Sequence, residues 1–345
     1  MAFRPPAAIG VAILGFLCAL LTIRGEAHPE LTAATWDDVG PILEQSCVGC
    51  HKPGGSALPS LVTYEEARPV APAIKRSVLE RRMPPWRAAP GFGEFENDPT
   101  LTAAQIELVA SWADGGGRRG DSAAPASLAT TANMPSPDVV LRPSAEHHIG
   151  GPQQRFELTI EGRAERWLRG WHFRPGNPAA VTQAEISIAS GGSIGTWVPP
   201  EGPMLLPDDT AYRLPPGATF LVDVRYRRVT GPATDRSELA LYFSRRPRRE
   251  AHHLSLPCGS TQAAHDLDVL SIQPALAAFG DAIEILATRP DGGVEPLGWF
   301  RNYPPGYRAT YRFRAPVRLP KSTRIDVRSK DHTCTADLEY VASRE

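Results

Sequence analysis

The chain of 345 residues reads as a multidomain α plus all-β protein, a small helical domain followed by two β-sandwich (jelly-roll) domains. Three observations predict this. Up to residue 117 apolar residues recur at helical spacing behind capping boxes, whereas from residue 138 onward they alternate in short runs. Between the two, residues 118–137 are rich in small side chains and poor in bulky ones, as a linker is. Proline occurs 35 times, and because it fits neither helix interiors nor central strands it predicts many loops and edges. The length also exceeds one ordinary domain. Lys and Arg number 37 against 38 Asp and Glu, so no general electrostatic attraction to nucleic acid or an anionic membrane is expected.

Residues 1–27 read as an export signal. Arg4 supplies the positive end, Ala7 to Leu21 an almost unbroken apolar run, and Gly25-Glu26-Ala27 a small-x-small cleavage site. Counted to Ile23 the run is about 17 residues and nearly spans a bilayer, so a retained inner-membrane anchor is the other reading. Either way the mature chain is expected in the periplasm. Cys18 would suit lipid attachment, but Leu17 stands where a small residue is needed. Of the five cysteines, Cys18 leaves with a cleaved signal and Cys47 and Cys50 belong to a motif. Cys258 and Cys334 remain, and an oxidising compartment predicts a disulfide between them; two free buried thiols are the alternative.

Cys47-Val48-Gly49-Cys50-His51 is the attachment signature of c-type haem: two thiols add to the vinyl groups and the next histidine is placed as an axial iron ligand. A redox C-x-x-C would want a βαβ pattern around it and a zinc site a second ligand pair, and neither is nearby. The sixth ligand is expected from the same segment, and Met83 in "RRMPPW" qualifies, with two prolines stiffening the chain behind it. Met134 lies in the linker and Met204 in a β domain. A helix is predicted over Trp36 to Gln45, leading into the motif. Thr63-x-x-Glu66 and Thr102-x-x-Gln105 match capping boxes that open two more. In the last, Ile106, Val109, Ala110 and Ala113 recur at helical spacing, with Leu108 and Trp112 extending the apolar face. The segment 30–117 resembles a cytochrome c domain of the kind that runs C-x-x-C-H-K/R-P-G, then MPPW, then a Trp-Ala-Asp-x-Gly ending.

Beyond the linker, "RFELTIEG", "ATFLVDVRYR", "ELALYFS", "AIEILAT" and "ATYRFRAPVRL" alternate like half-buried strands. The basic stretch "SRRPRREA" near residues 244–251 marks a seam, giving domains at 138–248 and 249–345. "WLRGWHFRPGNPAAV", the long run from "GTWVPPEG" to "ELALYF", and "RPDGGVEPLG" resemble the copper type II, ascorbate-dependent monooxygenases, which include peptidylglycine and dopamine hydroxylating enzymes. That resemblance implies two jelly-roll domains, each with one copper. At the ligand positions it implies, this chain carries Thr182, Gln183 and Arg225 for one site and Ala275, Ala277 and Thr333 for the other. None is a good copper donor, and Arg225 brings a permanent positive charge without a lone pair. Copper is therefore not expected.

Other histidines are His147, His148, His172, His252, His253, His265 and His332. Neighbours on a strand point to opposite faces, so the pairs do not chelate by spacing alone and satisfied or surface roles are expected, with a rebuilt metal site as the alternative for His147-His148 and His252-His253. Asp223, Asp235 and Glu238 read as solvated acids. Arg225 and Arg227 suit either an anion or a solvent-facing strand edge. No phosphate loop, nucleophile elbow or zincin motif is present. The function these residues point to is a periplasmic mono-haem electron carrier with Cys47 and Cys50 attaching the haem and His51 and Met83 as axial ligands. A redox partner protein is implied, and the β region would serve as a docking or ligand-binding module rather than an enzyme. A copper-dependent, haem-fed hydroxylase with displaced ligands is the alternative.

Overall fold

Helix caps and strand alternation divide the molecule as their chemistry requires. A computed structural model describes residues 34–96, 98–121, 135–199, 202–277, 282–330 and 332–342; the export signal, Met134 and most of the linker lie outside them. The chain is mostly β, in several sheets, with a small helical part at its N-terminal end. The helices are α1 (Trp36–Ser46), α2 (Tyr64–Ala67), α3 (Ala71–Leu79) and α4 (Ala103–Asp114). Thr63 and Thr102 accept from the backbone N–H of Glu66 and Gln105, whose side chains reach back to the cap N–H. Each box satisfies donors that a helix start leaves open. Trp36, Leu43, Val78, Val109 and Trp112 form the helical core. Leu108 departs from expectation: it is 39% exposed, because two residues beyond Ile106 a helix has turned more than half way round.

The first β half comprises β1 (Val139–Leu141), β2 (His147–His148), β3 (Gln153–Thr159), β4 (Arg166–Arg174), β5 (Val181–Ile188), β6 (Gly192–Trp197), β7 (Met204–Leu205), β8 (Thr210–Leu214), β9 (Thr219–Tyr226), β10 (Thr234–Asp235) and β11 (Glu238–Phe243). The second comprises β12 (Arg249–Pro257), β13 (Gly259–Gln262), β14 (Leu267–Leu276), β15 (Ala282–Thr288), β16 (Val294–Arg301), β17 (Tyr311–Leu319), β18 (Arg324–Ser329) and β19 (Cys334–Ala342). In the first half, β1-β11-β4-β8 faces the sheet β3-β9-β5-β6 across a core of Trp171, Phe173, Ile186 and Phe220. In the second, β12-β19-β14-β17 faces β13-β18-β15-β16 across Ile272, Ile285, Phe300 and Tyr311. Alternate residues of β9 and β15 are buried, as a sheet with one face on a core demands.

A short parallel pairing, Arg249 to Thr210 and Glu250 to Ala211, joins the two halves edge to edge into one nine-stranded sheet. The basic stretch read as a seam thus runs straight into a strand. Polar side chains reinforce the join. Arg308 reaches Gln273 Oε1 at 3.3 Å and Glu185 at 3.3 Å and also pairs with Asp337. The Thr196 N–H donates to Thr310 Oγ1 at 3.1 Å. Cys258 and Cys334 form a disulfide at the end of the β12–β19 ladder, their Cα atoms 5.0 Å apart.

Candidate functional site

Helix α1 delivers the C-x-x-C-H turn. Cys47 caps it, and its carbonyl accepts from the N–H of Cys50 at 3.1 Å and of His51 at 2.9 Å. One tight turn therefore carries two thiols and an imidazole. The following loop folds back over the turn, with the Ala57 N–H on the Cys50 carbonyl at 3.2 Å and the Leu61 N–H on the His51 carbonyl at 2.9 Å. Cys47 is buried and Cys50 half-buried, and they are not bonded to each other. Burial, and next the neighbouring Cys50, pushes the Cys47 thiol up to about 12; burial raises Cys50 as well. Raised thiols are the reverse of the depressed thiolate on which C-x-x-C redox chemistry depends.

Whether the turn suits a c-type haem is decided by the imidazole. His51 Nδ1 lies 2.8 Å from the Pro59 carbonyl oxygen. A carbonyl can only accept, so Nδ1 carries the proton and the lone pair resides on Nε2, the tautomer an imidazole would need to hold haem iron. With two unpaired thiols in the same turn, the donor set fits. Met83 follows α3 and is 38% exposed, so its thioether is not consumed by the core. A cleft of about 520 Å³ between α3 and α4 is lined by Lys75, Arg76, Leu79 and Asp114 rather than by these residues.

The implied copper positions fall into two groups. Thr182 Oγ1 donates to the Arg225 carbonyl at 3.1 Å, and Gln183 opposes Arg225 across β5 and β9. Gln183 Oε1 accepts the Arg308 N–H at 3.1 Å, and Arg225 Nη1 donates to the Gly306 carbonyl at 2.8 Å. Ala275 pairs with Thr335 across β14 and β19, and the Ala277 N–H donates to the Thr333 carbonyl at 3.0 Å. Two hydroxyls, an amide, a guanidinium and two methyl groups do not fit copper. Among the described residues no group of three or more His, Cys, Asp or Glu side chains converges as a metal site.

Arg225 and Asp235 depart from their sequence reading, whereas the histidine pairs are satisfied or exposed as expected. Arg225 lies on β9, flanked by β3 and β5, so it is not on a strand edge. Arg227 Nη2 donates to the Ser56 carbonyl at 2.9 Å, in the loop behind the C-x-x-C-H turn. Asp235 is 1% exposed rather than solvated. It accepts from Tyr226 and Ser237 hydroxyls at 2.9 and 2.8 Å and from the Asn177 N–H at 2.9 Å, which replaces the water it gives up. His147 Nε2 lies 2.9 Å from Tyr226 Oη, while His148 is exposed. At the join, His253 Nε2 lies 2.8 Å from Tyr212 Oη, which also donates to Glu339, a carboxylate shared with Ser271. Sequence spacing carries no signal for either buried network.

No family model matches the chain, and no curated protein matches it. Solved structures similar to it include the major capsid protein P2 of bacteriophage PM2, 10% identical over 60% of this chain and 98% of that one at a TM-score of 0.28. An α-L-fucosidase candidate from Bacteroides ovatus is 10% identical over 72% of this chain and 42% of that one, TM-score 0.22. Oxalate decarboxylase from Bacillus subtilis is 7% identical over 57% of this chain and 70% of that one, TM-score 0.17. At these scores none of the three bears on function.

Proposed function

We propose that the protein is an exported mono-haem c-type cytochrome that transfers electrons in the periplasm, with a copper-free β region that docks or binds a partner. The observation that carries the reading is the C-x-x-C-H turn, in which two unpaired thiols accompany an imidazole whose Nδ1 proton is taken up by the Pro59 carbonyl. A haem held there supplies one-electron chemistry. Cys47 and Cys50 would attach it, His51 would present Nε2, and Met83 would offer the thioether. Pro59 fixes the imidazole, and a carbonyl partner raises its basicity.

The β region is read as two jelly-roll domains descended from a copper monooxygenase plan. Supporting this, Thr182, Gln183 and Arg225 gather on the paired strands β5 and β9, where their side chains bind protein groups, and Ala275, Ala277 and Thr333 gather at the paired ends of β14 and β19. Expression in cells that attach haem c, followed by haem and metal analysis after dialysis against trace copper, tests the whole reading. One covalently bound iron per chain and no tightly held copper is expected. No covalent haem overturns the cytochrome assignment, and retained copper would restore the hydroxylase alternative.

A further inference from the structure

The segment that carries Met83 is held on one side by the helix just before it and on the other by strands distant in sequence. On its N-terminal side, after α3, the Arg82 and Met83 N–H groups donate to the Ser77 carbonyl at 2.9 and 3.2 Å. On its C-terminal side the chain leaves the helical part and lies against the second sandwich. The Arg301 N–H donates to the Arg87 carbonyl at 2.9 Å, and the Ala89 N–H to the Trp299 carbonyl at 2.7 Å. Farther on, Glu96 N–H donates to the Arg312 carbonyl and Arg314 N–H to the Glu94 carbonyl, both at 2.8 Å. The segment thus bridges β16 on one sheet and β17 on the other.

Side chains deepen the anchor. Trp86 meets Tyr311 edge-on at 4.7 Å, and Phe95 is 4% exposed among Phe300, Tyr311 and Phe313. Gly93 makes the close approach possible: at φ +82° a Cβ there would stand 2.9 Å from the Leu297 carbonyl oxygen. Only Met83, Pro84 and Pro85 separate the helical anchor from Trp86, and two consecutive prolines leave that span few free dihedrals. His51, in contrast, is oriented by the loop of its own helical part.

We propose that the second β-sandwich positions the Met83 thioether, with Trp86 and Phe95 as positioning residues that act through the strap. The inference rests on the haem reading above. The two donors that would hold the iron are then held differently, His51 by the loop of its own helical part and Met83 between α3 and the aromatic core of the β region. Loosening the sandwich anchor opens the Met83 side and leaves the histidine and both thioether attachments in place. The β region is by this account a determinant of the iron's ligand field as well as a docking module.

The test uses the full-length holoprotein. Trp86→Ala and Tyr311→Leu loosen the anchor, Phe220→Leu makes a comparable lesion in the first sandwich, and Met83→Leu removes the ligand. The readouts are the ferric thioether charge-transfer band, the midpoint potential and titration with imidazole, which competes for an opened position. Trp86→Ala and Tyr311→Leu are expected to tighten imidazole binding about tenfold by raising the opened population, and to lower the potential as thioether ligation weakens. Phe220→Leu is expected to lower Tm and leave both readouts unchanged. If the anchor variants bind imidazole like the unaltered protein, or if Phe220→Leu shifts as much, the positioning role is overturned; loss of the band in Met83→Leu then leaves the haem reading intact. Absence of covalent haem overturns both together, whereas a band that survives Met83→Leu overturns the Met83 assignment and the positioning role and leaves the cytochrome reading standing. Should Tyr311→Leu fail to fold, Trp86→Ala on its half-buried ring and Phe92→Ala, 5.2 Å from Trp299, decide the question.

Discussion

The two sandwiches are built alike but completed differently. The first closes on Trp171, Phe173 and Phe220 of its own strands, with Ala251, Leu270 and Val341 added across the join, and meets the helical part where Arg227 donates to the Ser56 carbonyl. The second closes with Ala88 and Phe95, which lie in the helical part's own stretch of sequence, and carries the Cys258–Cys334 disulfide. The described residues from 34 onward accordingly belong to one compact unit. A small-residue linker marks where composition changes, but a core ends only where burial ends, and here the second core reaches back across the linker. An extended aromatic segment gains more from a deep apolar groove than from the rim of a small helical bundle.

The sharpest way to break this comparison is Phe95→Ala. If Phe95 belongs to the second core, its loss should cost about 3–5 kcal/mol, as truncation of other buried aromatics does. Urea unfolding measures this, and a cost below about 1 kcal/mol would return Phe95 to a surface contact. Next, Cys258→Ser with Cys334→Ser should cost about 3 kcal/mol, read from the urea midpoint, with the first sandwich less affected in hydrogen exchange. Third, Arg308→Gln should cost about 2 kcal/mol by leaving Glu185 and Asp337 without their cation at the join. Equal Tm values for the variant and the parent would show that the join is held without these ion pairs.

The smallest effect concerns pH. Burial, and then Arg174, pushes His172 in the first sandwich down to about 4. Burial lowers His253 at the join against the opposing pull of Glu339 and Asp337. Both imidazoles are neutral in the fold, while in the unfolded chain they titrate at the ordinary value. As pH falls from the ordinary histidine range toward 4, the unfolded chain takes up protons that the fold refuses, so stability declines. For His172, which is partly exposed and screened, the loss should be about 1 kcal/mol. Thermal melts of His172→Gln against the parent across that window check it, the variant being flatter.

Much of this architecture is legible locally. Thr63 with Glu66 and Thr102 with Gln105 announce helix starts because a hydroxyl and a carboxylate or amide three residues on can satisfy the open N–H groups. "AIEILAT" coincides with β15 because alternation is itself the signature of a strand with one buried face. The C-x-x-C-H turn is likewise contained in five residues. Trp86 to Phe95 was not legible as part of a β core. The stretch is rich in proline and glycine and has no period, so it reads as loop. Asp235 looked solvated because its partners Tyr226 and Asn177 are brought to it by strands and turns that only folding assembles.

Alternation determines which face of a strand is apolar, and motif spacing determines which donors share a turn, because both are set by a backbone geometry that acts over a few residues. Which apolar face meets which is a matter of burial, and burial is not local. Phe95 and Phe313 pair as neighbours although more than half the chain lies between them. The sequence by itself determined the elements and the C-x-x-C-H turn; only the tertiary structure decided that the strap behind Met83 would anchor in the second sandwich, where nonlocal aromatic contacts could remove it from water.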